Sequence, residues 1–262
     1  MTTTPQGIGC EKSGFVVPPI SKTDDVRTVF DNASRYLNTR RLDMRFRTEA
    51  VQAFTANLPL ERVLDVGCGD GTISLPLLER VSHLTLLDLS PRMTELTKSK
   101  IPETFASRVE VRNEDFATST LAPASFDLVI SLGVLAHVDA PEDFIAKIAT
   151  VLRPGGRLII AFTDARHPMG RIARSLGQMK ELIAPPKYRI NPLSIVNVTQ
   201  FCERARLQMI SAFRYASNPI PDIERLLPSS LLYNSAKAIF GNCSKNRMSW
   251  LGNEYICLLA KR

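Results

Sequence analysis

Between residues 60 and 163 the chain alternates short, nearly unbroken apolar runs with stretches in which apolar residues recur every three or four positions. The short runs fall at 62–66 (RVLDV), 83–88 (HLTLLD), 108–112, 126–132 (FDLVISL) and 157–163 (RLIIAFT). Such runs predict strands covered on both faces, because a half-exposed strand alternates apolar with polar. The intervening periodicity predicts helices over 72–80, from Ser90-Pro91 onward, and from Pro141 to Leu152. Ser90 suits a helix cap, and Pro91 and Pro141 suit the first helical position, where a missing N–H costs nothing. RPGG at 153–156 predicts a turn between the last helix and the fifth strand. Strand and helix in alternation imply a mostly parallel sheet with helices on both faces.

The flanks read differently. Val26, Val29, Phe30, Ala33 and Leu37 are spaced as one helix face, predicting one or two cap helices within 24–58. Residues 1–23, with Thr, Pro and Gly, read as a flexible tail, and 59–262 as the main domain. After residue 163 the rhythm loosens. A basic helical stretch covers 166–183, APPKYRINP breaks it, and Asn191-Pro192 begins a helix to about Arg206. A strand at 207–215, an interrupted helix at 222–241 and a last strand in NEYICLLAKR complete the chain. Segments at about 164–191 and 217–250 read as helical lid insertions. Met169, Leu176, Met179, Leu182, Leu226, Leu227, Leu231, Leu232, Tyr233 and Phe240 supply their apolar surface. That surface suits a sizeable apolar substrate or packing on the core.

Composition changes this picture little. The chain has 262 residues, 44% hydrophobic and 23% charged, which is ordinary for one large globular domain. No apolar run approaches the ~18 residues of a membrane-spanning helix, and the first residues do not read as a secretory signal. The five cysteines are scattered, without metal-ligand spacing, so no metal site is expected and the thiols read as reduced, as in the cytoplasm. Cys68, within a glycine turn, reads as a small residue in a tight place rather than a nucleophile. The net charge is +7, and nine Lys/Arg against three acids place most of it in 164–215. That segment suits an anionic substrate, a membrane surface, nucleic acid, or simply a solvated helix face.

The candidate chemistry centres on VLDVGCGDGTIS, where Gly67, Gly69 and Gly71 follow the first strand. A phosphate-cradling loop would need Lys after its last glycine, and a dinucleotide loop would need glycine at position 72, where Thr72 stands. Asp65, at the strand end, would repel a pyrophosphate and attract an ammonium group. Asp88 ends the second strand, placed to accept both ribose hydroxyl protons. Asp115 and Phe116 follow the third strand, suited to an adenine amino group and ring face. The ligand so described is an adenosine with a cationic amino-acid end and no phosphate.

These motifs, with NEDF at 113–116 and FDLVISLGVLAHVDAPEDFIAKIATVLRPGG at 126–156, resemble the class I S-adenosylmethionine-dependent methyltransferases over about residues 60–163. The resemblance implies a Rossmann-like α/β fold, with a seven-stranded, mostly parallel sheet whose last strand is antiparallel. It implies S-adenosylmethionine as cofactor and S-adenosylhomocysteine as product. It implies that Gly67, Gly69 and Gly71 lie near the methionine and ribose, Asp65 at the amino end, and Asp88 with Leu89 at the ribose. Asp115 and Phe116 would hold the adenine, with the backbone at Ser131 and Leu132 near the methionine part.

Methyl transfer by in-line displacement asks the protein for alignment and a dry site. A base is needed only for a protonated nucleophile. His137, after the fourth strand, is the candidate base, with a cofactor contact as its other reading. Tyr36 is a candidate to close over the cofactor, and Arg35, Arg40 and Arg41 to bind a carboxylate. His83 and His167 read as structural or solvent-facing. The stretch SLGV stands where adenine- and glutamine-methylating enzymes carry [DN]PP[YF], and no nucleic-acid-binding appendage is recognisable. The expectation is O-, N- or C-methylation of a small quinone-, polyketide- or secondary-metabolite-like acceptor, with nucleic acid disfavoured and membrane-surface contact left open. RNA or protein methylation through the basic segment, a non-catalytic cofactor-binding regulator, and an NAD-dependent oxidoreductase remain as alternatives.

Overall fold

The structure, a computed structural model, describes residues 22–31, 41–168, 171, 190–216 and 228–262. Seven strands form the main sheet: β1 (Arg62–Val66), β2 (His83–Asp88), β3 (Val109–Asn113), β4 (Phe126–Leu132), β5 (Leu152–Thr163), β6 (Leu207–Tyr215) and β7 (Glu254–Lys261). The helices are α1 (Lys22–Phe30), α2 (Arg41–Thr55), α3 (Pro91–Lys100), α4 (Pro141–Val151), α5 (Ile195–Arg204) and α6 (Ser229–Phe240). Across the sheet the order is β3-β2-β1-β4-β5-β7-β6, with β7 antiparallel to both neighbours. No helix among the described residues is long and apolar enough to cross a membrane.

Strand composition follows position. Every residue of β4 is buried, as is all of β1 and β2 beyond their first residue, because helices cover both faces of the sheet. β3, at the edge, is only half-covered. On one face Phe46, Val51, Leu77, Tyr233 and Phe240 join α2, α6 and the segment after β1 to the sheet. On the other, Phe144, Ile148, Val198 and Cys202 bring in α4 and α5. Asp127 bolts β4 to β1 at the far end: its Oδ2 accepts from the amides of Glu61 (2.9 Å) and Arg62 (2.7 Å), and Arg153 pairs with its other oxygen.

Four expectations shift. The segment at 72–80 is a series of turns around a short 3-10 helix, Leu75–Leu77, rather than an α-helix. Pro76 has no N–H to give to Thr72, so the winding tightens, although Ile73, Leu77 and Leu78 are buried as an amphipathic helix would bury them. β3 starts at Val109 rather than 108, and β5 begins at Leu152, absorbing the expected RPGG turn. Finally, α5 begins at Ile195 with Ser194 as its cap, the hydroxyl accepting from Asn197 N at 3.2 Å. Asn191 is committed elsewhere, to the loop after β4.

Of the expected lid surface, Tyr233 and Phe240 are core residues, and only Leu231 on that helix is a large exposed apolar side chain near its start. α6 is fastened to α2 by Tyr233 and Lys237, which both meet Glu49, and by the Arg45 guanidinium 3.6 Å over the Tyr233 ring. Residues 1–21, 32–40, 169–170, 172–189 and 217–227 lie outside the described residues, with nearly all of the tail, Tyr36 and half of the expected lid.

Leu128 is completely buried in β4, between β1 and β5. Leu128→Ala is expected to cost about 2–5 kcal/mol in urea unfolding, with an unchanged slope.

Candidate functional site

The strand order reverses between β1 and β4, and crevices beyond the carboxyl ends of such neighbours are where open α/β sheets bind ligands. A cavity of about 720 Å³, counted to its open mouth, lies there. Its wall is built from Val66, Gly67 and Gly69 at the end of β1 and in the turn beyond, Leu87, Asp88 and Leu89 at the end of β2, and Glu114, Asp115 and Phe116 after β3. Leu132, Gly133, Val134, His137 and Val138 come from the end of β4, with Met93 of α3 and Phe144 of α4. Val26, Arg27 and Phe30 of α1 cover it.

The glycine turn is a consequence of close approach. Gly67 N and Cys68 N both donate to Leu87 O, at 2.7 and 3.1 Å, which pulls the turn onto the end of β2. A Cβ on Gly67 would come within 2.3 Å of Val134 Cγ2, and φ is +74°. At Gly69 (φ +56°) a Cβ would meet nothing within 4 Å, since that position faces the cavity. Burial pushes the Cys68 thiol well above its usual range, and Asp65 and Asp88 add to the rise, which disfavours the reactive thiolate.

Asp88 is held by the turn it faces. Its Oδ2 accepts from Gly69 N (2.8 Å) and its Oδ1 from Ser90 N (2.9 Å). Burial raises its pKa; these two N–H groups oppose the rise, and the Asp31 carboxylate adds to it. Ser90 also donates to Asp31 Oδ1 at 2.6 Å, which fastens the end of α1 beside the pocket. Asp115 Oδ1 accepts from Ala117 N at 2.8 Å, so one of its oxygens shapes the turn it sits on. Phe116 is almost fully buried and meets Phe144 edge-on at 5.1 Å, forming pocket floor rather than a free stacking face.

His137 lies in the wall with its ring edge-on to Phe30 at 5.5 Å. Its loop is gripped from both sides: Asn191 N donates to Ala136 O (2.8 Å) and Asn191 Nδ2 to Val138 O (2.6 Å). Of the other expected site residues, Gly67, Gly69, Asp88, Leu89, Asp115, Phe116 and Leu132 meet in the wall. Asp65, Gly71 and Ser131 stand behind it: Asp65 and Ser131 are buried, and a Cβ at Gly71 would run into Leu75 at 2.8 Å. Tyr36, Arg35 and Arg40 lie outside the described residues, as does the side chain of Arg41. His167 bonds Trp250 O at 2.8 Å, away from this wall. The sequence reading missed α1 as part of the wall, although Val26 and Phe30 share one helix face, and it missed Met93, Gly133, Val134 and Phe144.

The donor set fits an adenosine. Asp88, Glu114 and Asp115 face the cavity with Arg27 as the single Lys or Arg of the described wall. That balance disfavours a pyrophosphate and suits hydroxyl and amino donors. The Cβ-free face at Gly69 leaves backbone against ligand, and the apolar side of the wall suits a thioether chain.

Asp65 gives the site a pH signature. Burial pushes its carboxyl up to about 7; the Ser74 hydroxyl opposes and the Asp88 carboxylate adds to the rise. A raised folded-state pKa means the folded chain holds the proton more tightly than the unfolded chain. The contribution to stability is therefore present below the ordinary value of 3.8 and is lost as pH climbs towards about 7. Asp65→Asn is expected to flatten stability against pH across that window in urea unfolding; identical profiles for both chains would contradict the assignment.

Residues 64–160 match the family described as a methyltransferase domain. Over 150 residues the chain is 29% identical to the ubiquinone biosynthesis O-methyltransferase of Idiomarina loihiensis, covering 52% of this chain and 60% of that protein. Over 148 residues it is 31% identical to the mitochondrial ubiquinone biosynthesis O-methyltransferase of Schizosaccharomyces pombe, covering 55% and 52%. The matched stretch thus spans between half and two thirds of each of these relatives. Among solved structures, magnesium protoporphyrin IX methyltransferase (ChlM) from Synechocystis PCC 6803 with bound SAH superposes with a TM-score of 0.66 at 17% identity, covering 92% of this chain and all of that one. Residues 64–160 are thus similar to a methyltransferase domain, and the chain has the fold of the class I, S-adenosylmethionine-dependent methyltransferases.

Proposed function

We propose that this protein transfers a methyl group from S-adenosylmethionine to a hydroxyl of a small aromatic, quinone-precursor-like molecule. The observation that carries the reading is the wall itself: three carboxylates and a side-chain-free glycine turn at the β1/β4 switch point, with one cation. The ubiquinone O-methyltransferase relatives supply the acceptor class.

When bound, S-adenosylmethionine supplies an electrophilic methyl group on a sulfonium. The chain's own residues do the rest. Asp88, already oriented by Gly69 N and Ser90 N, accepts from the two ribose hydroxyls. Asp115 would accept from the adenine amino group, and the backbone at Gly67 and Gly69 would hold the amino-acid part. Asp65 answers an ammonium charge from behind the turn, where a cation favours its ionised form against the burial that opposes it. Val26 and Phe30 of α1 exclude water over the pocket. His137, its loop pinned by Asn191, accepts the hydroxyl proton as the oxygen gains its methyl.

Methylation of RNA through the basic segment is the weaker reading. Within its described part, Arg204 is paired with Glu142 at 2.8 Å, and Arg214 is spent on Gly252 O and on the Tyr255 ring.

Calorimetry with S-adenosylmethionine and S-adenosylhomocysteine tests the cofactor. Asp88→Ala is expected to weaken both by about 10–100-fold, as losing charge-assisted hydrogen bonds does. Absence of binding by the native chain would sink the reading. Turnover on a panel of catechols tests the acceptor. His137→Ala is expected to slow methyl transfer by about 10²–10⁴-fold while cofactor affinity changes only a few-fold. Equal turnover in the two chains would remove His137 from the chemistry.

A further inference from the structure

We propose that Lys147, on α4, sets the adenine selectivity of this pocket by clamping the turn that carries Asp115 and Phe116. The proposal rests on the reading that the pocket holds an adenosine.

Residues 115–119 wind one isolated helical turn after β3. Ser119 N donates to Asp115 O at 2.9 Å, and Ala117 N to Asp115 Oδ1 at 2.8 Å. Ser119 Oγ donates to Phe116 O at 2.9 Å. A turn this short has no following residues to use its last carbonyls, and those carbonyls gather negative partial charge. Lys147 meets both needs with one group: its ammonium donates to Ala117 O at 2.9 Å and to Ser119 O at 2.7 Å. The same nitrogen lies 5.1 Å from the centroid of the Phe116 ring.

The clamp is mounted on a rigid support. Phe144, Ile145 and Ile148 seat α4 in the core, and Phe144, one turn before Lys147, is also the ring that meets Phe116 edge-on. One helix therefore presents two side chains to Phe116 and holds the middle and the end of the turn through the carbonyls of Ala117 and Ser119. The orientation of Asp115 follows, because its Oδ1 is tied to the amide of Ala117, the residue whose carbonyl Lys147 holds. Burial lowers the Lys147 pKa, and the Asp115 and Glu114 charges oppose that fall. Lys147 is a positioning residue, acting on the ligand through Asp115 and not by touching reacting atoms.

Lys147→Met keeps the length of the side chain and removes the donors; Lys147→Arg keeps charge and donors. The measurement is the affinity of each chain for S-adenosylhomocysteine and for S-inosylhomocysteine, in which an oxygen replaces the adenine amino group. Lys147→Met is expected to lose about tenfold in affinity for the adenosine ligand and less for the inosine ligand, so that the ratio narrows. Lys147→Arg is expected to retain most of the ratio. Turnover at saturating S-adenosylmethionine should hold in Lys147→Met while KM for it rises. A native ratio in Lys147→Met, or an equal loss for both ligands, overturns the clamp. Failure of the native chain to bind either ligand overturns the adenosine reading, and the clamp with it.

Discussion

The backbone after β1 passes so close to the segment after β4 that no side chain fits between them. Gly67 lies against Val134, and its amide and that of Cys68 share a single acceptor, Leu87 O at the end of β2. Three strand ends converge on this contact, and the cavity is the space they leave beyond it. A methyl group added at Gly67 would have to displace Val134, which itself lines the cavity, so the turn and the pocket wall cannot be altered separately. The left-handed backbone at Gly67 and Gly69 is the conformational cost of that approach, and glycine is the residue that meets it at little strain.

Around this contact the protein gathers acidic groups that burial disfavours. Asp65 and Asp88 both lie where their charged forms are opposed by desolvation and by neighbouring carboxylates. The fold offsets part of that with aimed backbone donors, two of them on Asp88. The rest is what a ligand rich in hydroxyl and ammonium donors can supply. Carboxylates so placed suit a ligand that brings hydroxyl and ammonium donors, and rules of local stability are set aside most often at sites that bind.

Much of this was legible from local pattern. The apolar runs at 62–66, 83–88 and 126–132 are strands because burial on both faces leaves no room for polar alternation. Asp88 and Asp115 were legible because an acid at the end of a parallel strand, or just beyond it, lies at the crevice. What was not legible depends on neighbours distant in sequence. Pro76 tightens a helix whose apolar spacing is intact. Asn191 looks like a helix start, yet bonds a loop more than fifty positions earlier. Ser131 and Asp65 lie on the right strands but face inward, since in a strand covered on both faces sequence alone does not say which side the ligand takes. The place of α1 over the pocket rests on a contact between Asp31 and Ser90 that no periodicity announces.

These long-range contacts share a form. Asn191 holds the carbonyls on either side of His137, Lys147 holds those of Ala117 and Ser119, and Ser90 ties α1 to the capped start of α3. In the third case two side chains meet; in the first two a side chain or amide distant in sequence grips irregular backbone that no ladder satisfies. Loops that carry a ligand must depart from strand and helix geometry to reach it, and their carbonyls are left over in doing so. Satisfying those carbonyls from a distant, anchored residue turns a requirement of folding into precision at the site. A fraction of an ångström lost at such a grip is transmitted to Asp115 or His137 without any change in the residues that face the ligand. The sheet of a class I methyltransferase fold supplies the crevice, and the grips on its loops decide how sharply the crevice discriminates.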